Sequence, residues 1–339
     1  MPLPAILAAA LLAAPLPPEV NPVLFPGADT RDATEIQLAG LAELYPGRIL
    51  HKAPITLRTG SQHLPPFEQS LPRGVTYLRV YDLSVSEAKL AESLNNPLVI
   101  VDLRYVAADA PTAEEFADTL AKAGLACEAV HGLGDLKDPA DLPAPLNPDK
   151  TPPLVLVLVN KQTAGPLEAW LAAFQSKQSV LAVGTTTAGQ PGSYFPATGH
   201  TDFFILSGEM VPDAIGSIAG SGLKPQFSVD ITPEQDYLAY QKAESNRDVS
   251  ALLRHDRILA AAPASAPAVA SSSTPPAATA PVASATPAPA SEEVGDLVLQ
   301  RAVDVVAALQ VLGRAPSLKP AGTVKAPDAV AAPTSPAKN

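Results

Sequence analysis

Leu154-Val-Leu-Val-Leu-Val159 runs directly into Asn160-Lys-Gln-Thr-Ala-Gly165, and a helical run through Glu168 and Trp170 follows. A second apolar segment, Val180-Leu-Ala-Val183, then leads into Gly184-Thr-Thr-Thr-Ala-Gly189-Gln190. Uninterrupted apolar runs of this kind predict strands covered on both faces. Their alternation with helical segments predicts an α/β domain whose sheet strands are joined by crossover helices. A buried strand feeding a sharp turn and a helix is also a common way to present a nucleophile. Here the turn carries Gly165 where a nucleophile would stand.

Working outward, Leu98-Val-Ile-Val-Asp-Leu103 is another continuous apolar run, and Val75-Thr-Tyr-Leu-Arg-Val-Tyr81 alternates as a half-buried strand does. Helices are predicted over Ala33–Leu44, with Ile36, Leu38, Leu41 and Leu44 on one face, and over Ser84–Leu94, which Asn95-Asn96-Pro97 ends. A third spans Thr112–Gly124, with a capping-box-like Thr112-Ala-Glu-Glu115 at its start. Residues 51–74, with four prolines, read as irregular, and Cys127–Pro153 as a variable region. Beyond Gly192 come a strand at Phe203–Leu206, a glycine-rich passage over Gly208–Gly222, Phe227-Ser-Val-Asp-Ile231, and a helical segment from Pro233 to about Arg254.

Residues 260–290 consist of Ala, Pro, Ser, Thr and Val, a composition of extended linkers. Glu292–Leu312 is amphipathic, with Val294, Leu297, Val298, Ala302, Val305, Leu309 and Leu312 on one stripe, so this helix is expected to dock back on the core. The expected organisation is a signal peptide at 1–18, an N-terminal helix and irregular segment at 19–74, and a core at 75–255. A linker at 256–291, a C-terminal helix at 292–314 and a disordered tail at 315–339 complete it.

The chain has 339 residues, 38 prolines, a formal net charge of -11 and a single cysteine, Cys127. An acidic chain without clustered Lys and Arg argues against nucleic acid and anionic membrane as partners. One cysteine forms no internal disulfide and no cysteine-based zinc site. The Ala/Leu run from Ala5 to Ala14 is too short to span a bilayer and predicts an export signal, although no Lys or Arg precedes Arg31. No stable membrane span is expected elsewhere.

Five landmarks, in order, resemble the tail-specific (C-terminal processing) serine peptidases, family S41. They are Tyr77-Leu-Arg-Val80; Val101-Asp-Leu-Arg104; Val157-Leu-Val-Asn160 through Thr163-Ala-Gly-Pro-Leu-Glu168; Val183-Gly-Thr-Thr-Thr-Ala-Gly189; and Gly222-Leu-Lys-Pro-Gln-Phe-Ser-Val229. Asp296-Leu-Val-Leu-Gln-Arg-Ala302 resembles the family's closing helix. The resemblance covers residues 75–232 and 292–312 and implies a crotonase- or ClpP-like β/α spiral core. It also implies a Ser-Lys dyad, in which serine attacks the peptide carbonyl and neutral lysine takes its proton.

The family's serine falls three residues before the helix glutamate, which here places Gly165; its lysine follows the loop's second glycine, which here places Gln190. Glycine offers no nucleophile, and a neutral amide is no base at ordinary pH. The family's Asp-Leu-Arg strand runs into a glycine pair that helps hold developing negative charge, whereas Arg104 is followed by Tyr105-Val-Ala-Ala-Asp109. Residues 51–74 also leave too little chain for the family's PDZ module, which would capture substrate ends by strand addition.

Residual chemistry has few carriers. Thr163 with Lys161 is the best surviving hydroxyl–amine combination, set against a turn hydroxyl bonded to local backbone. Ser193 with Lys177, and Cys127 with His131, are further pairs. His51, His63, His200 and His255 have no metal-ligand spacing. Asp102 and Asp109 are end-of-strand and loop carboxylates that would bind a cation or serve structure. Glu168 is expected to contact backbone or Arg104. Gly184, Gly189 and Gly192 lack the Gly-Lys-Thr/Ser of a phosphate loop. No cofactor or metal is expected. The favoured reading is an inactive relative of the tail-specific peptidases at the cell envelope that binds a peptide or protein partner. The alternatives are an active peptidase with relocated residues and a scaffold.

Overall fold

The computed structural model describes residues 30–56, 64–253 and 295–313; the expected leader, linker and tail lie outside them. In chain order the elements are α1 (Thr30–Leu44), β1 (Ile49–Leu50), β2 (Phe67–Leu71), β3 (Val75–Arg79), α2 (Glu87–Ser93), β4 (Leu98–Asp102) and α3 (Ala110–Lys122). Then follow β5 (Val130–Gly134), β6 (Leu154–Val159), α4 (Leu167–Ser176), β7 (Val180–Gly184), β8 (Gly192–Ala197), β9 (His200–Pro212), β10 (Phe227–Ser228), α5 (Pro233–Asn246) and α6 (Leu297–Val311).

The architecture is mixed α/β. A six-stranded sheet has the order β10-β7-β6-β4-β3-β2, parallel except where β2 pairs antiparallel with β3. The apolar runs of β4 and β6 sit at its centre because both faces are covered. On one face Leu90, Phe116, Leu120, Trp170 and Phe174 from α2, α3 and α4 pack on Leu78, Val99, Val101, Val155 and Val157. On the other, Val298, Leu299, Ala302, Val303, Val305 and Val306 of α6 pack on Tyr77, Ile100, Leu156 and Leu158. The C-terminal helix therefore docks back on the core. Its buried face is wider than the expected stripe, adding Leu299, Val303 and Val306, while Leu312 is exposed.

The same helix overturns the half-buried reading of β3, whose every residue is buried. Local alternation sees only one covered face; the second cover arrives from a helix more than two hundred residues later. Other expectations are corrected likewise. Residues 51–74 contain strand β2, with Gln69 tied to Asp248 and to the Val249 amide. The N-cap of α3 is Asp109, whose carboxylate accepts from the Thr112 amide, so the box at Thr112 is not used. Of the α1 stripe only Leu38 is buried, against Ala197 and Phe203, while Ile36 and Leu44 are exposed. Helix α5 begins in a Thr232–Gln235 capping box and stops at Asn246, because Arg247 turns left-handed with φ 47°. Phe203–Leu206 and the start of the glycine-rich passage belong to one long strand, β9, which pairs antiparallel with β8, β5 and β1 in a four-stranded sheet. Among the described residues no helix is long and apolar enough to cross a membrane.

Candidate functional site

The turn after β6 is built by Asn160 and Thr163. The Asn160 amide donates to Thr163 Oγ1 at 3.1 Å, and the Thr163 hydroxyl donates to the Leu103 carbonyl at 2.9 Å. Asn160 Oδ1 accepts from the amides of Gln162 and Tyr105. Thr163 is fully buried and Lys161 exposed, and no hydrogen bond joins their side chains. The chain thus spends the hydroxyl of the best surviving candidate on joining the β6 turn to the β4 turn.

Gly165 lies two residues on, at φ 84°. A Cβ there would stand 2.2 Å from the Ala108 carbonyl oxygen, so both the backbone conformation and the space demand glycine. The crowding comes from a parallel bridge between Ala107 and Ala164: the Ala108 amide donates to the Ala164 carbonyl at 3.3 Å, and the Ala164 amide to Val106 at 3.0 Å. The Gly165 amide donates to the Gln190 carbonyl at 3.1 Å. The structure thus brings Gly165 and Gln190 together, and it pairs the amides of Ala108 and Gly165 with carbonyls. Paired amides are not free to receive a developing oxyanion.

Glu168, in the first turn of α4, organises the facing loop. Its carboxyl accepts from the Thr187 hydroxyl, from the Gly189 amide at 2.7 Å and from the Gln190 amide at 2.8 Å. Thr187 Oγ1 in turn accepts from the Leu223 amide at 2.7 Å. Burial pushes the Glu168 carboxyl up to about 7, outweighing these donors. Of the two expected roles for Glu168, contact with backbone is the one found; Arg104 is engaged elsewhere.

Every N–H of Arg104 is taken. Nε and Nη2 donate to Asp102 at 2.9 and 2.7 Å, Nη1 donates to Asp236 at 2.9 Å, and Nη1 and Nη2 donate to Asp296 at 3.1 and 2.8 Å. Beside it, Arg79 donates to the Tyr77 hydroxyl and the Tyr240 carbonyl, and Tyr77 donates to Asp102 at 2.7 Å. Burial opposes charge on Asp102, but Arg104 and then Arg79 outweigh it and hold its carboxyl below the usual carboxylate range. Asp296 also accepts from the Leu299 amide, capping α6. One guanidinium thus joins the end of β4, helix α5 and helix α6. The sequence missed this tie; an Asp at each helix start, Asp236 and Asp296, was its only signal.

Two cavities of about 530 Å³ flank the β4 turn. Gly165, Pro166 and Gln190 line the first, with Ala107, Ala108, Asp109 and residues Gly192–Tyr194 of β8. Tyr105, Asn160, Lys161, Thr185, Asp236 and Tyr237 line the second. Ile55 and Thr56 line both, and the Ile55 amide donates to Gln190 Oε1 at 2.8 Å. The side chain at the expected lysine position therefore holds a strap across the cleft.

The remaining candidates are dispersed. Lys177 pairs with Glu128 at 2.8 Å, while Ser193 lies on β8. Burial and then the neighbouring Glu128 push the Cys127 thiol up to about 12, and His131 bonds instead to Asp213 at 2.9 Å. His51 stacks on Phe203 at 4.7 Å, His200 opens β9, and His63 and His255 lie outside the described residues. Asp102 and Asp109 are used by Arg104 and by the α3 cap. Gly189 is required by close backbone approach, since a Cβ would stand 2.9 Å from the backbone of Gly220 and Gly222. Among the described residues no group of three His, Cys, Asp or Glu is placed to hold a metal.

No family model matches the chain, and no curated protein matches it either. Solved structures similar to it include S41 peptidases at low sequence identity. The photosystem II D1 C-terminal processing protease is 14% identical over 54% of this chain and 48% of its own, with a TM-score of 0.35. A putative S41 protease from Bacteroides fragilis is 18% identical over 52% of each chain, with a TM-score of 0.35. A lipoprotein from Streptococcus agalactiae is 13% identical over 64% of this chain and 83% of its own, with a TM-score of 0.41. The chain spans about half the length of the first two.

Proposed function

We propose that this chain is a catalytically inactive homologue of the tail-specific serine peptidases that binds a peptide or protein partner in the remaining cleft. The observation that carries this reading is the closure at Gly165: the Ala108 carbonyl occupies the space of a side chain, and the neighbouring amides are paired. Gln190 supports it, because its side chain accepts a backbone N–H instead of facing a nucleophile. The hydroxyl of Thr163, which a relocated mechanism would use, is spent on Leu103.

Binding is supported by β8. Among the described strands it pairs with β9 alone, and Gly192–Tyr194 line the cleft, so an extended peptide would have a strand edge to add to. Placement at the cell envelope rests on the leader at 1–18 and is tested by N-terminal sequencing of the mature chain. The binding reading is tested with purified protein and fluorescent peptides from unfolded casein. Saturable binding without turnover is expected; turnover, or absence of binding, would overturn it.

A further inference from the structure

We propose that the second cavity is a binding site for a small aromatic carboxylate, separate from the Gly165–Gln190 cleft and independent of whether that cleft is inactive. Four parallel strands end around it. β4 leads to Tyr105, β6 to Lys161 and Gln162, β7 to Thr185, and β10 to Ile231. Loops diverging from the carboxyl edge of a parallel sheet leave the crevice in which open α/β proteins bind ligands. A volume of about 530 Å³ falls in the range of small-molecule sites.

Two tyrosines line the cavity, Tyr105 and Tyr237. Tyr105 has φ 65°, a left-handed conformation that strains a residue other than glycine. The strain is held from all sides. Arg104 before it is saturated, the Tyr105 amide donates to Asn160 Oδ1 at 3.3 Å, and the hydroxyl donates to Asp236 at 3.1 Å. The ring lies 4.7 Å from Tyr240 and meets Tyr237 edge-on at 5.8 Å. Ile55, Ile231 and Pro233 complete an apolar lining. Such a wall accepts a flat ring edge-to-face or offset.

The polar groups fix the charge of the ligand. Lys161 is the one cation among the lining residues; it is exposed and forms no ion pair with the described residues. The Thr185 hydroxyl and the side-chain carboxamide of Gln162, which also line the cavity, likewise form no hydrogen bond within the described residues. The oxygens of Asp236 are engaged within the fold, accepting from Arg104, Asn160 and Tyr105. A ligand therefore enters ring first, with its carboxylate at the rim on Lys161.

The test titrates hydrocinnamate into the full chain, followed by NMR, alongside hydrocinnamide and phenethylamine. Saturable binding of the acid is expected, with the amide and the amine at least about tenfold weaker. Lys161→Glu is expected to weaken the acid by a similar factor with an unchanged circular dichroism spectrum, and the charge-matched Lys224→Glu, at an exposed lysine that lines neither cavity, to leave it within about twofold. A peptide ending in phenylalanine with a free carboxylate separates the two sources of this chemistry: tighter binding than hydrocinnamate assigns a chain terminus, weaker binding a free acid. No saturation by either acid, equal binding of the amine, or an equal loss with Lys224→Glu and Lys161→Glu would overturn the proposal.

Discussion

The amide of Gly165 donates to the carbonyl of Gln190 at 3.1 Å, joining backbone to backbone the two positions where the resemblance implies a serine and a lysine. The pair is closed from both sides. Glu168 fixes the Gln190 amide, Ile55 occupies the Gln190 side chain, and the Ala108 carbonyl fills the space beside Gly165.

Gly165→Ala is expected to destabilise the protein by about 2 kcal/mol or more, from the left-handed backbone and the contact with Ala108. Urea unfolding measures it as a lower midpoint at unchanged slope. A loss below about 0.5 kcal/mol would mean that the turn relaxes and the position is open.

Gln190→Ala removes the acceptor of the Ile55 amide. The expected cost is about 1 kcal/mol, with faster hydrogen exchange at Ile55 and unchanged exchange in β4 and β6. Gln190→Lys should act the same way, since an ammonium cannot accept that N–H.

Glu168 makes stability depend on pH with a definite sign. Its folded value, about 7, lies above the ordinary 4.5, so the native state binds the proton more tightly than the unfolded chain. Its contribution is full below the unfolded value and is lost as pH rises through the folded one, a change on the order of 3 kcal/mol. Unfolding curves taken between about pH 4 and 8 should show the decline, and Glu168→Gln should flatten it. That variant is also expected to lose about 1–3 kcal/mol at low pH, because its NH₂ would face a backbone donor.

Asp296→Ala removes one of the three carboxylates on Arg104 and the cap of α6. A loss of about 3–5 kcal/mol is expected, with exchange protection falling first along α6. Uniform loss across the sheet without a preferential effect on α6 would show that Arg104 does not hold that helix.

The central sheet was legible because β4, β6 and β7 are short apolar runs separated by turn residues, and burial on both faces leaves that mark. The proximity of Gly165 and Gln190 was legible only through family resemblance, which supplied the spacing. Strand β2 was not, since Phe67-Glu-Gln-Ser-Leu71 has a polar centre whose partners lie on distant segments. The β8–β9 hairpin was hidden by Pro196 and Gly208, which interrupt its apolar pattern. Arg104 reaches Asp236 and Asp296 across 132 and 192 residues, a pairing that no local periodicity encodes. The strap at Ile55 leaves no mark in the sequence because a hydrogen bond from its backbone N–H to Gln190, not a residue pattern, positions it.

The most direct measurement is fluorophosphonate labelling of the purified full chain, with adducts mapped by mass spectrometry. No stoichiometric adduct is expected on any serine or threonine, in the wild type or in Gly165→Ser/Gln190→Lys, because the Ala108 carbonyl blocks the restored side chain. A single labelled residue in the wild type, at Thr163, Ser193 or elsewhere, together with peptide hydrolysis that the label abolishes, would contradict the loss of catalysis.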